Sequence, residues 1–411
     1  MHTAAPTDLL ATIQSQGRLS PEALANLAQW LQDPALAEFR PGIQALIDRG
    51  DWDELEDAFY KRINIGTGGI RGPIGPGPNR INTRTIGEAA QALCEFIDAR
   101  GASAREGGVV VNGAIGLCTH VELQLGGALL RLVSEELGET LECANSGGLL
   151  PHGKLPLLTA ALRRFPVLGG FTLTTRCDAP SGSGLGSSGA LGVALVGALT
   201  RARQETLAPP DVADQAWQVE TIEAQLPGGK QDQYAAALGG FHRLSFRDPD
   251  VGVEPVTLEP TFAAALERQT LICYTNKSRV SGDTIARVMG AYERGDREVT
   301  GALRGLKDTG NAMAEALRAA DLARVGSLLS ANWKHQQALD PGMRTPEMAQ
   351  LEHAAAQAGA LGGKAAGAGA GGCMFFVMRG PARDAAAAVT RASNGARVLP
   401  LAWAPEGVRT W

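Results

Sequence analysis

Three stretches of this chain hold residue types that could do chemistry. The first, residues 180–190, reads Pro-Ser-Gly-Ser-Gly-Leu-Gly-Ser-Ser-Gly-Ala. Before it, Gly170-Phe-Thr-Leu-Thr-Thr-Arg176 alternates as a strand does, and after it Ala190–Leu199 is apolar enough for a buried helix. A glycine-rich loop that feeds a helix N-terminus presents free backbone N–H groups and the positive end of the helix dipole, which together make an anion site. Glycines let that backbone approach a polyphosphate closely. The paired hydroxyls of Ser187 and Ser188 can serve Mg²⁺ or phosphate. No Gly-Lys-Ser/Thr follows the glycines, so this is not a Walker A loop. The competing reading is a tight strand–helix connection.

The second stretch runs from Glu220 to Gly240. Glu220 and Glu223 stand three apart on an expected helix and can share a face, although such a pair also suits a solvated surface. Lys230 and Asp232 follow a Pro-Gly-Gly turn. An acid held beside a lysine stays ionised at neutral pH, as a base or an electrostatic anchor must. The third stretch, Lys364-Ala-Ala-Gly-Ala-Gly-Ala-Gly-Gly372, has the composition of a linker. It lies between a helical pattern and the apolar strand Cys373–Met378, which favours a loop whose backbone approaches a ligand or another loop.

Helices are expected to start at Ser20 and Asp51, each with a cap residue, and to cover 85–100, 153–164, 189–200 and 212–226. Residues 61–80 read as a glycine- and proline-rich loop. Strands are expected at Gly108–Ile115, Thr270–Tyr274, Cys373–Met378 and 396–403, with amphipathic helices up to about Gln357, a glycine-rich loop over 362–372 and a helix over 381–393. Strands and helices intermix, so the class is α+β or α/β. The chain has 411 residues and a net charge of −5, without a basic block, which argues against nucleic acid as a partner. No positively charged leader and no membrane-length apolar run is present, so no membrane partner and a cytoplasmic location are expected. Cys94, Cys118, Cys143, Cys177, Cys273 and Cys373 form no Cys-x-x-Cys pair and read as buried or inert thiols in a reducing cytosol. The histidines show no metal-ligand spacing.

Together these stretches resemble the GHMP kinases. The family's second motif, Pro-x-x-x-Gly-Leu-x-Ser-Ser-Ala/Gly, matches Pro180–Gly189, and its third, Gly-Ala-Gly-x-Gly-Gly, matches Gly367–Gly372. Gly229-Lys-Gln-Asp-Gln-Tyr-Ala-Ala-Ala237, Tyr274-Thr-Asn-Lys-Ser-Arg279 and Asn332-Trp333 look like sugar kinases of the heptose-7-phosphate kinase and fucokinase type. The resemblance spans residues 108–411 and implies an α+β, two-domain fold. An ATP-binding domain over 108–262 would be followed by a ferredoxin-like domain over 263–411. It implies ATP and Mg²⁺ as cofactors and a sugar or sugar phosphate as substrate, phosphorylated on a hydroxyl such as the anomeric one. By the same resemblance Pro180, Ser183, Gly184, Leu185, Gly186, Ser187, Ser188 and Gly189 wrap the ATP phosphates. Gly367 and Gly369 support that loop, Ser188 and Glu220 hold Mg²⁺, and Asp232, with Lys230, acts at the sugar hydroxyl.

The first 107 residues resemble something else. Phe59–Gly72 and Pro78–Thr85 look like the N-terminal signature of phosphoglucomutases and phosphomannomutases, an incomplete α/β segment over about 35–107. Neither the phosphoserine loop nor the metal loop of those enzymes follows. The kinase-like part starts at what resembles the family's second strand, without the first strand and first motif. Two further readings therefore stand beside the kinase: a nucleotide-binding remnant without catalysis, and a phosphohexomutase.

Overall fold

The computed structural model describes residues 9–10, 13, 16–60, 65–66, 69–70, 107–145, 149, 154–226, 228–247, 250–277, 282–393 and 395–411. The chain forms two compact units, Met1–Glu106 and Gly107–Trp411. The expected helix over 85–100, most of the 61–80 loop and most of the mutase-like signature lie outside the described residues.

The first unit holds α1 (Pro21–Gln32), a 3₁₀ turn (Pro34–Phe39), α2 (Arg40–Arg49) and α3 (Trp52–Phe59). Ser20 caps α1, its Oγ accepting from the Ala23 N–H at 3.1 Å. Asp51 precedes α3 without a side-chain cap bond. Leu27, Leu31, Ile43, Leu55 and Phe59 are fully buried, and Trp30 meets Phe59 edge-on at 5.8 Å.

The second unit begins with β1 (Gly108–Gly113), β2 (Thr119–Leu125), β3 (Leu130–Ser134), β4 (Glu139–Cys143), α4 (Pro156–Arg164), β5 (Phe171–Cys177), α5 (Ser187–Ala202) and α6 (Pro209–Gln218). A single π turn (Val219–Glu223), α7 (Gln231–Leu238), β6 (Phe241–Arg247) and β7 (Asp250–Pro255) follow. One sheet has the order β1-β6-β7, the other β2-β5-β3-β4 with β3 and β5 parallel. In β5 the buried residues are Phe171, Leu173 and Thr175, a period of two that puts one face on the core. Helix α5 buries Val193, Leu195, Val196 and Leu199 against Leu132, Leu173, Ala213 and Val219.

The rest of the chain is α8 (Pro260–Gln269), β8 (Thr270–Tyr274), α9 (Gly282–Glu293), α10 (Arg297–Arg318), α11 (Leu322–Leu339), α12 (Pro346–Gln357), β9 (Ala360–Ala365), β10 (Cys373–Met378), α13 (Ala382–Ala392) and β11 (Arg397–Leu399). All pairings in its sheet are antiparallel, in the order β11-β8-β10-β9, the ferredoxin-like arrangement. Trp333, Met348, Leu351, Met374 and Phe376 fill the space between sheet and helices.

Several expected boundaries move. Helix α5 starts at Ser187 rather than 189, because Gly186 at φ +80° closes the loop two residues earlier. The helix expected over 212–226 is α6 followed by the π turn, whose wider winding carries Glu220 inward. The glycine-rich loop is 366–372, not 362–372. Gly362 and Gly363 lie in β9, where an ideal Cβ would stand 1.8 Å from the Gly326 carbonyl oxygen at one and 2.2 Å from the Phe376 ring at the other. The last strand spans three residues rather than eight. No disulfide joins the described cysteines, of which Cys273 and Cys373 are buried and Cys118 is exposed. Burial pushes the Cys273 thiol up to about 12, which leaves it protonated and inert.

His242 on β6 gives a pH prediction. Burial lowers its pKa, so the folded state resists a proton that the unfolded chain takes up near about pH 6.5. The stability it contributes is present above that pH and is lost as pH falls through the depressed value. Replacing His242 by Gln should flatten the fall in thermal midpoint between about pH 7.5 and 5.5. An unchanged slope in differential scanning calorimetry would show that other groups carry it.

Candidate active site

The loop between β5 and α5 is built for close approach. The Ser183 N–H bonds to the Pro180 carbonyl at 3.1 Å, turning the chain, and Ser183 itself is fully buried. Leu185 packs on Ile272, Tyr274 and Cys373. Gly186 takes φ +80°, a conformation that disfavours any Cβ, and the next residue opens α5. The first N–H groups of a helix have no intrahelical partner. Here they belong to Ser187 and its successors, and Ser188 is exposed beside them.

A second loop braces the first. The Cys373 N–H donates to the Ser183 carbonyl at 2.7 Å, and the Tyr274 hydroxyl donates to the Ser181 carbonyl at 3.4 Å. Gly372 lies so close that an ideal Cβ would stand 2.5 Å from the Ser183 carbonyl oxygen. The bracing loop is itself clamped. Gln336 on α11 donates to the Gly367 carbonyl at 2.6 Å, and the Met343 carbonyl accepts from Ala370 N–H at 2.7 Å. Gly369 at φ +75° leaves no room for a Cβ beside that same carbonyl. Ala370 is held at φ +62°, a left-handed conformation that costs about 1–2 kcal/mol for a residue with a Cβ.

Helix α7 closes the other side. Asp232 on its first turn packs against α5, where an ideal Cβ on Gly189 would lie 2.7 Å from the Asp232 Cβ. An ideal Cβ on Gly186 would meet the same side chain at 3.2 Å. Behind Asp232, Glu220 is buried, at 8% exposure. Ser188 Oγ donates to its Oε1, and Gln233 Nε2 donates to its Oε2 at 2.5 Å. Burial raises the Glu220 pKa most; the Asp232 charge adds to that, while the Ser188 and Gln233 hydrogen bonds oppose it. A buried carboxylate with a second carboxylate nearby and an accessible hydroxyl on one oxygen is a place for a cation. Among the described residues no three His, Cys, Asp or Glu side chains gather to hold a metal by themselves. A magnesium ion that takes one or two carboxylates, a hydroxyl and substrate phosphates needs no such cluster, and the hard oxygen donors here fit it.

Beside Asp232 opens a cavity of about 630 Å³ lined by Gly184, Leu185, Gln231, Ala368, Asn332 and the consecutive residues Val109–Gly113. It is large enough for a small-molecule acceptor.

The sequence-derived candidates thus fall into one place, with two differences. Lys230, expected beside Asp232, makes an ion pair with Asp214 at 3.1 Å and lies 4.6 Å over the Trp217 ring. The turn before α7 aims its side chain back at α6. Glu223, expected to share a face with Glu220, instead pairs with Arg164 at 3.2 Å, since the π turn rotates the two apart. Sequence reasoning missed Gln233 and Gln336. A polar residue next to Asp232 in a short helix was the available signal for the first. For Gln336, buried on α11, there was no local signal.

Comparison with known proteins shows the family. The family description "GHMP kinases N terminal domain" matches residues 156–240, and "GHMP kinases C terminal" matches residues 313–395. The D-glycero-alpha-D-manno-heptose 7-phosphate kinase of Campylobacter jejuni is 30% identical over 315 residues, 74% of this chain and 91% of that protein. The crystal structure of a D-glycero-D-manno-heptose 1-phosphate kinase from Bacteriodes thetaiotaomicron superposes with a TM-score of 0.57 at 25% identity, covering 73% of this chain and 89% of that one. A shorter likeness, 31% identity over 115 residues, is to the phosphopentomutase of Mus musculus, and it takes in 27% of this chain but 18% of that enzyme. No helix among the described residues is long and apolar enough to cross a membrane.

Proposed function

The chain belongs to the GHMP kinases, and from that premise we propose that it transfers the γ-phosphoryl group of ATP to a hydroxyl of a sugar or sugar phosphate, the anomeric hydroxyl in particular. The observation that carries the reading is the convergence of the α5 N-terminus, Glu220 and Asp232, with Asp232 and the loop residues Gly184 and Leu185 lining an open cavity.

In this reading the loop from Pro180 to Gly186 and the first N–H groups of α5 hold the nucleotide phosphates, helped by the dipole. The bracing loop through Gly367 and Gly369 fixes the backbone of that cradle, so that little reorganisation is needed when charge shifts during transfer. Ser188 Oγ and the Glu220 carboxylate would hold Mg²⁺. When bound, that ion supplies positive charge to the phosphate oxygens. Asp232 lies at the cavity wall, where it can orient the acceptor hydroxyl and accept its proton as the oxygen attacks. Phosphoryl transfer needs mainly positioning and charge neutralisation, which these few residues supply. Lys230, tied to Asp214 and Trp217, supports the start of α7 rather than meeting the acceptor.

Two observations favour a second reading, nucleotide binding without catalysis. Strand β1 has a single ladder partner among the described residues, and beyond Asp232 the cavity wall is mostly apolar, with Val109, Val111, Met313, Leu329 and Phe375. The apolar part of that wall offers no hydrogen bonds to a sugar, which leaves recognition to polar lining side chains such as Asn112, Gln231, Asn332 and Lys364. The test is ADP release by the purified chain with Mg²⁺ and ATP across a panel of sugars and sugar phosphates, heptose 7-phosphate and fucose included. Sugar-stimulated ADP release is the expected result. ATP binding by calorimetry without stimulation from any acceptor would replace the kinase reading by the second one.

A further inference from the structure

The residue next to Asp232 has a geometry that the roles above do not use. Gln233 sits on the first turn of α7 at 1% exposure, one of the few fully buried polar side chains among the described residues. Its Nε2 donates to Glu220 Oε2 at 2.5 Å, while Ser188 Oγ donates to Oε1. Each carboxylate oxygen therefore has a donor, one from α5 and one from α7, and the plane of the carboxylate is set by two helices at once. Gly228 leaves the space beside Oε2 open, since an ideal Cβ there would come within 3.2 Å of that oxygen.

The other end of the amide is informative. Gln233 Oε1 is buried and has no hydrogen-bond partner. A buried acceptor without a donor is costly, and an unbranched apolar side chain of similar volume, methionine, would avoid that cost. What the amide provides in exchange is the bond from Nε2 to Glu220. The backbone of Gln233 is also anchored. Its N atom would lie 3.1 Å from a Cβ placed on Gly189, so α7 rests directly on α5 at this residue.

We infer that Gln233 is a positioning residue for the metal-binding carboxylate: by holding Glu220 Oε2 it keeps Oε1 turned to Ser188 and the phosphate loop. This rests on the reading of Glu220 as the Mg²⁺ ligand. Because Gln233 and Asp232 are adjacent on α7, the same helix turn that carries the proposed base also orients the metal ligand. Displacement of α7 disturbs both at once. Partners of this kind, which orient a ligand without touching the ion, commonly change metal affinity by about 10–100-fold.

The test uses the full chain, Mn²⁺ and a non-hydrolysable ATP analogue, with free Mn²⁺ followed by electron paramagnetic resonance. Gln233→Met keeps the volume and removes the donor. The expected result is a Kd for Mn²⁺ in the analogue complex raised about 10–100-fold, with metal-free analogue affinity unchanged and part of the kcat recovered at high Mn²⁺. A merely structural role would lower both affinities together. Glu220→Gln is measured in parallel. If it loses Mn²⁺ affinity while Gln233→Met binds as wild type, the inference about Gln233 is overturned and the metal reading stands. If Glu220→Gln also binds as wild type, the metal reading falls and takes this inference with it. Should Gln233→Met not fold, a crystal structure of the unmodified chain with Mn²⁺ and the analogue decides. Nε2 bonded to the Glu220 oxygen away from the ion supports the inference, and a side chain turned away from Glu220 overturns it.

Discussion

Replacement of Asp232 by alanine should lower kcat by about 10²–10⁴-fold, the usual contribution of a positioned general base, and leave Mg²⁺–nucleotide affinity intact. The geometry makes this a clean substitution. The approach of α7 to Gly189 is through the Asp232 Cβ and backbone, which alanine keeps, whereas Gly186 faces the carboxyl carbon as closely as the Cβ. Only the carboxylate leaves, and with it the negative charge that helps to raise the Glu220 pKa. Glu220 then ionises more readily, which offsets the loss of a second negative charge near the cation. The measurement pairs steady-state turnover on a responding sugar with nucleotide titration by calorimetry. Turnover at the wild-type rate would remove Asp232 from the mechanism. A parallel loss of nucleotide affinity would mean that the side chain supports the fold of α7 instead.

Gly189→Ala is expected to have the second-largest effect, with the opposite sign to what helix propensity alone would give. Gly189 lies inside α5, where alanine is ordinarily favoured over glycine by about 0.5–1 kcal/mol. At this position the new Cβ would meet the Asp232 Cβ at 2.7 Å and backbone atoms of Asp232 and Gln233 at 3.1 Å. Backbone cannot swing aside as a flexible side chain can, so α7 must move off α5. Overpacking of this kind costs about 1–3 kcal/mol, which exceeds the propensity gain. The displacement also moves Asp232 and Gln233 together, and misplacement by about 1 Å can cost about 10²-fold in rate. Thermal denaturation and kcat should fall together. Gly192, one turn further along α5, is the control. A Cβ there would meet the Ala216 Cβ at 3.4 Å, an ordinary contact, so Gly192→Ala should keep activity and be neutral or stabilising. Equal behaviour of the two variants would mean that α7 does not rest on α5 through Gly189.

Much of the site was legible because its parts are local. Pro180 to Gly189 makes a loop and a helix start whatever the rest of the chain does. The glycines permit left-handed turns, and the apolar run from Ala190 to Leu199 requires burial. The strand Cys373–Met378 and the loop before it, the helix caps and the order of elements around them are local in the same sense. The likeness of Gly367–Gly372 to the GHMP motif placed that loop near the phosphate loop, and the hydrogen bond from Cys373 to Ser183 is the physical form of that nearness.

What the sequence determined by itself was the strand, loop and helix start around Pro180–Gly189, the strand Cys373–Met378, several of the helices, and which of these carry polar groups that chemistry could use; strands β2, β3, β4, β6, β7 and β9 were not expected. The partner of each polar group was decided by tertiary structure alone. Lys230 is two residues from Asp232 in sequence, yet it pairs with Asp214, because the turn into α7 points the two side chains in different directions. Glu220 and Glu223 are indistinguishable as an i, i+3 pair. Only the π turn, formed where α6 ends against α5, buries one and gives the other to Arg164. Gln233 and Gln336 acquired their roles from groups 13 and 31 residues away. Hydrogen bonds and ion pairs act over a few ångströms and their strength depends on burial, so they are set by how elements pack. Spacing along the chain records only which residues can share an element.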